Sequence, residues 1–231
     1  MMKNSIQLNE IWLWKAPKAC LIGFLILLTS AAILYPGGTI YEKSLSIYSI
    51  QYNFLSDMGR TIAHNGSNNF FSSSLFLLGL TSAGLVIMLF FLNVWKLFSA
   101  DKNIQKLALI GSLFGVLGCI SLIGVAFTPV DLYRDPHIGF ANWLFRFFFI
   151  GALLYTIAIY LSKELPNKLA LGYLVFSIMI ISYILINELG PPPSTSKFIL
   201  AVKVIAQKAI LVCFILAIYF QSAGLKKIFS E

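Results

Sequence analysis

The chain has 231 residues, 58% of them hydrophobic and 11% charged, with a mean hydropathy of +0.84. No soluble domain of this size has that balance. Its net charge of +8 lies largely in lysines beside apolar runs, so it reports membrane topology and argues against a nucleic-acid partner.

Runs of about 20 apolar residues mark transmembrane helices, since about 30 Å of hydrocarbon requires that many residues at about 1.5 Å each. The pattern predicts an all-α bundle of six spans, a single integral membrane domain over residues 1–231. The spans fall at 16–35, 70–95, 107–127, 138–161, 169–189 and 198–220. The first is retained and not a signal peptide: its apolar run is long, and Tyr35-Pro36-Gly37-Gly38 is a poor cleavage site. Lys3, Lys15, Lys18, Lys96, Lys102, Lys106, Lys163, Lys168, Lys226 and Lys227 flank one side, against only Lys43, Arg60, Arg134 and Lys197 on the other. Both termini are therefore expected in the cytoplasm, with the loops around 36–69, Asp131 and Pro191-Pro192-Pro193 outside. The expected location is a bacterial cytoplasmic membrane.

Within the first loop, residues 44–55 alternate weakly, which fits a short strand or an interfacial helix. Gly79 and Ala83, and Gly111, Gly115 and Cys119, recur every four residues and predict close helix packing. Cys20, Cys119 and Cys213 each sit in an apolar run and read as small core residues, not a disulfide framework or metal site. No internal repeat or low-complexity tract is present.

The last span holds Lys203, Gln207 and Lys208. A cation near the bilayer centre costs about 2.5–3.5 kcal/mol on insertion scales. Lys203 lies about 8 Å and Lys208 about 15 Å along the helix from Phe198. Lys203 can snorkel outward, whereas Lys208 needs an internal partner. Other polar groups gather at the same end: Asp57, Arg60, His64 and Asn69 before the second span; Asp131, Arg134 and His137 before the fourth; Asn142 and Arg146 one turn apart on it; and Glu188 at the end of the fifth.

These residues support several readings. An ion-pair network would fix the packing of the outer half. A cation-lined cavity holding Arg60, Asn69, Arg134, Asn142, Arg146, Glu188, Lys203, Gln207 and Lys208 would bind an anionic membrane lipid or amphiphile, because guanidinium groups match phosphate and carboxylate in bidentate fashion. Asp131 with His137, and more weakly Asp57 with His64, offer acid–base chemistry for an intramembrane hydrolase or transferase. Here Asp131 would orient His137 across a stiff segment bounded by Pro129 and Pro136, and both would matter more to activity than to folding. The competing assignment for Asp131 is a helix cap. A small-solute transporter is a third class, although no repeat supports it. No metal is expected, because two histidines outside any metal motif make a poor ligand set, and no cofactor fingerprint is present.

Leu55-Ser56-Asp57-Met58-Gly59, then Asn68-Asn69-Phe70-Phe71, then Thr128-Pro129-Val130-Asp131 with His137 beyond, resembles the pattern of the bacterial membrane proteins grouped as domain of unknown function 998. It is more distantly similar to the Frag1/DRAM/Sfk1 group, which carries an Ile-Ser-Asp-x-Gly-like stretch before the second span. The resemblance implies six helices and an external polar site at Asp57, Asp131 and His137, with no established reaction. The eukaryotic relatives imply lipid-linked or trafficking roles.

Overall fold

The structure, a computed structural model, describes residues 10–162 and 164–230, with side chains as far as Lys227. Lys3 and Lys163, two of the flanking cations, lie outside the described residues. Helix α1 (Ala16–Leu34) is entered through a π-helical turn at Ile11–Lys15. It is followed by α2 (Phe70–Val94), α3 (Lys102–Phe127), α4 (Arg134–Leu161), α5 (Asn167–Leu189) and α6 (Lys197–Ser230). Six helical segments are long and apolar enough to cross a membrane. They are apolar around most of their circumference because lipid lies on one side and a neighbouring helix on the other.

The helix starts differ from the hydropathy reading in an instructive way. α3 begins at Lys102 instead of Leu107, because Asp101 accepts from the Asn103 and Ile104 amides at 2.7 and 3.2 Å and starts a polar first turn. α4 begins at Arg134, so Pro136 and His137 belong to its first turn and not to a loop. Proline is tolerated there because no intrahelical donor is lost. α6 continues to Ser230 instead of stopping at Phe220.

The helices form a ring in chain order, each packed on the next, and α6 returns to close against α1. The glycine stripe of α3 sets the tightest part. A Cβ on Gly115 would come within 2.5 Å of the Phe91 ring of α2, and one on Gly118 within 2.7 Å of the Phe148 ring of α4. Aromatic rings therefore fill the hollows that small residues leave, and Phe90, Phe91, Phe148 and Tyr155 are buried there.

Three connections, 36–69, 128–133 and 190–196, meet at one end of the ring. Tyr41 donates to the Pro193 carbonyl at 3.3 Å, and Lys197 lies 3.8 Å from Glu42. The first connection forms neither the strand nor the interfacial helix that its alternation suggested. It is an irregular but hydrogen-bonded unit with a 3-10 turn at Leu55–Gly59. Among the described residues the only β pairing is a single bridge between Ile62 and Asn68. The alternation does not sort the loop's side chains: Ile47 and Ile50 are exposed, and the loop's own contacts are made by residues such as Tyr35 and Tyr48, which meet edge-on at 5.8 Å.

Candidate functional site

Gly37 and Gly38 make the first loop possible. Both have positive φ, 118° and 82°. A Cβ on Gly37 would run into the Leu45 carbonyl, and one on Gly38 into the backbone of His64 and Asn65. Only glycine allows this approach. The sharp turn lets the Gly38 amide donate to Leu45 and the Asn65 amide donate to Gly37, folding residues 36–69 back on themselves.

Asp57 lies at the centre of that fold, 4% exposed. Its Oδ2 accepts from the Phe54 amide at 2.9 Å and from Asn53 Nδ2 at 3.1 Å, and its Oδ1 lies 3.1 Å from His64 Nε2. A carboxylate oxygen only accepts, so His64 Nε2 carries the proton. Asn53 is fully buried and is the hub: its side chain also donates to Gly38 and accepts from the Ser49 amide, while its carbonyl accepts from Tyr48. Burial pushes the Tyr35 phenol up to about 12 and raises Tyr48 as well, so both rings stay neutral.

The two deep polar residues of α6 reach into this unit. Lys208 Nζ donates to the Asn53 carbonyl at 2.6 Å and sits 5.4 Å from the centre of the Tyr48 ring. Gln207 Oε1 accepts from the Leu55 amide at 2.8 Å. The internal partner of Lys208 is thus a carbonyl and an aromatic face, with Asp57 one hydrogen bond further on.

The remaining residues divide among other tasks. Asp131 does not contact His137. Its carboxylate accepts from the Thr61 amide, the Thr61 hydroxyl at 2.6 Å and the Ile62 amide, clasping the α3–α4 connection to the first loop. Burial works against its charge, but the Thr61 hydroxyl and the two amides outweigh it and hold the carboxyl below its ordinary value. His137 is buried and its Nδ1 donates to the Thr128 carbonyl at 2.6 Å, at the end of α3. Asn69 is buried with its amide on the Met58 and Arg60 carbonyls, and its Oδ1 has no protein partner. Arg60 donates to Ile62. Arg134 is exposed and Asn142 half-buried.

Arg146 pairs with Glu188 at 2.6 Å and lies 5.5 Å from the centre of the Trp143 ring. Lys203 donates to the Asn187 carbonyl at 2.9 Å and to the Gly190 carbonyl at 3.3 Å. Both cations therefore meet the end of α5: Lys203 binds carbonyls there that have no intrahelical donors, and Arg146 binds the Glu188 side chain.

A central cavity of about 130 Å³ lies inside the ring. It is apolar, not cation-lined: α1 contributes Cys20, Phe24 and Leu28, and α6 contributes Leu211 and Phe214. Its polar lining is Ser56, His137 and Gln207, with Cys20 deeper, so His137 and Gln207 alone among the expected binding residues face it. Of the charges expected there, Arg146 is paired with Glu188, and Arg60, Lys203 and Lys208 are held by backbone carbonyls outside the cavity, because charge left unpaired in an apolar cavity would cost several kcal/mol, as estimated for an ion in a low-dielectric interior. Among the described residues no group of three or more His, Cys, Asp and Glu is arranged to hold a metal.

Asn53, Tyr48 and Tyr35 carry this arrangement and were not singled out in the sequence. The available signal was an aromatic-rich loop bracketed by Pro36-Gly37-Gly38 and Gly66, a composition suited to a small core of its own.

Six membrane-length apolar helices around an internal cavity define a multi-pass membrane protein. The chain belongs to the family described as Frag1/DRAM/Sfk1/Cwh43P N-terminal domain, which matches residues 21–230 and so spans the ring and its ordered loop. No curated protein and no solved structure matches it.

Proposed function

We propose that this protein binds an anionic lipid or related amphiphile of the bacterial cytoplasmic membrane, with the looped end of the bundle facing outward and both termini in the cytoplasm. The observation that carries the reading is the cavity: apolar along α1, α2, α4, α5 and α6, and polar at the looped end through Ser56, His137 and Gln207. An acyl segment suits the apolar part and a headgroup suits the rim. Arg134 stands one turn before His137, and Ala141, Leu144 and Phe148 continue the same stripe of α4 into the cavity. In this reading the exposed Arg134 side chain supplies the guanidinium that meets the phosphate or carboxylate of the headgroup. The segments Leu55–Gly59 and Thr128 to Asp131 build the floor and clasp of this end.

Native mass spectrometry of the protein in mild detergent tests the reading. A retained lipid is expected, with anionic species enriched. Ala141→Phe, which fills the cavity, should release it without lowering the detergent melting temperature, and Arg134→Gln should erase the anionic preference. Retention that ignores Ala141→Phe would end the proposal.

A second reading rests on the Asp57–His64 contact at 3.1 Å, which is an acid–base couple in geometry. It moves the hydrolase or transferase hypothesis from His137 to His64. Lipid turnover that is abolished by His64→Gln, with the loop intact, would favour it.

A further inference from the structure

The ring has one joint between helices that are not neighbours in sequence, where α6 meets α1, and it is the sparsest of the six helix–helix contacts around the ring. On α6, Tyr219 meets Lys18 of α1 at this joint, and Ile215, Val212 and Lys208 share its stripe at spacings of three and four. On α1 the matching stripe runs through Lys18, Leu21, Leu25 and Leu28.

Both ends of the joint are fastened. At the looped end Lys208 holds Asn53 and Gln207 holds Leu55. At the other end Lys18 Nζ lies 5.5 Å from the centre of the Tyr219 ring, and the Ile11–Lys15 turn packs against α6. Between the fastenings, Leu25 is 44% and Val212 54% exposed, although each lies on the stripe that carries the Lys18–Tyr219 contact. The same α1 stripe gives Leu21 and Leu28 to the cavity lining, and α6 gives it Leu211 and Phe214.

The cavity is close in size to an engineered apolar cavity of about 150 Å³ that admits benzene. The closed ring therefore holds a segment of about six carbons and no whole acyl chain. Access from the looped end is obstructed by the first loop, which α6 itself ties down.

We propose that the α1–α6 joint is a lateral portal, through which the acyl chain of a bilayer lipid passes from the membrane into the ring, with Lys208–Asn53 and Lys18–Tyr219 as the pins about which it parts. This rests on the lipid-binding reading above. It requires no opening toward water, and it keeps the chain in an apolar medium throughout.

The test uses the full-length protein in phosphatidylcholine vesicles containing phosphatidylglycerol with a diazirine midway along one acyl chain. Cys20, Cys119 and Cys213 are replaced by Ala, and Leu25→Cys and Val212→Cys are introduced and joined by oxidation or by a bismaleimide. Before joining, light should attach the probe to cavity residues such as Phe24 and Phe214. After joining, that labelling should be lost while labelling of lipid-facing Leu78 and Leu171 persists, and opening a disulfide should restore it. Leu25→Trp with Val212→Trp gives a plug that needs no cross-link and should have the same effect. Cavity labelling that survives both the cross-link and the plug would overturn the portal and leave lipid binding standing. Absence of cavity labelling in the unmodified protein would instead overturn the lipid-binding reading itself.

Discussion

Lys208 shows how a single residue can organise its surroundings. An ammonium in the apolar half of a helix is costly, and removing that cost here required a carbonyl at 2.6 Å and an aromatic face at 5.4 Å. Both come from the first loop, so the cation draws the loop into the mouth of the ring. Lys208→Met is expected to leave the helices intact and to expose residues 44–54 to added protease, which a digestion time course would show. Asn53→Ala is expected to be more damaging. It strands the Gly38 carbonyl and the Ser49 amide and takes one of two donors from Asp57 Oδ2, and leaving a buried group unpaired costs about 1–3 kcal/mol. A clear fall in detergent melting temperature should follow.

Asp131 gives a pH signature at the same scale. Its carboxyl is held below its ordinary value in the fold, so its contribution is fully present above the unfolded pKa of about 4 and disappears as pH falls through the lower folded value. Asp131→Asn should therefore melt below wild type at pH 7, and the two curves should converge below about pH 4. An Asp131→Asn protein as stable as wild type at pH 7 would mean that the clasp to Thr61 contributes nothing.

Among the elements, the first loop departs most from its sequence appearance. The six spans were legible because hydrocarbon thickness and apolar run length are directly related. The loop was not, because its shape depends on positive φ at Gly37 and Gly38 and on partners as distant as Lys208, none of which leaves a periodic trace. Asp57 and His64 stood out as polar residues before a span and as the weaker of two acid–base pairs, and they lie 3.1 Å apart. Asp131 and His137 were recognisable as well, but proximity in sequence suggested a pair, whereas each fastens a different element. Arg146 and Glu188 were both legible as charges at one end, whereas the Asn187 and Gly190 carbonyls that hold Lys203 leave no sequence pattern. Two glycines separate the effects inside the loop. Gly37→Ala combines strained φ with a collision against Leu45 and should prevent the loop from closing. Gly66→Ala has φ of 88° but open space around its Cβ, so its cost should stay near the conformational penalty of about 1–2 kcal/mol. Melting curves of the two variants should differ plainly.

For the molecule as a whole, the lysine asymmetry predicts that the looped end faces outward. In a cysteine-free background, Lys43→Cys should react with a membrane-impermeant maleimide in intact cells, and Asp101→Cys should react only after permeabilisation. The reverse pattern would invert the orientation, and with it the leaflet from which a lipid would be drawn. The ring and its joint would be unaffected.

A ring assembled in chain order also has a history. As the chain emerges, each helix after the first finds its preceding neighbour already in the membrane, and the sixth must also find the first. Until α6 arrives, the Leu55 amide lacks Gln207 and the Asn53 carbonyl lacks Lys208. The long loop is thus translated early and secured late. A nascent chain stopped after Leu189 should carry a loop that protease cuts readily, and the full chain should protect it. Order in that loop is therefore a marker that α6 has joined the ring and the circle has closed.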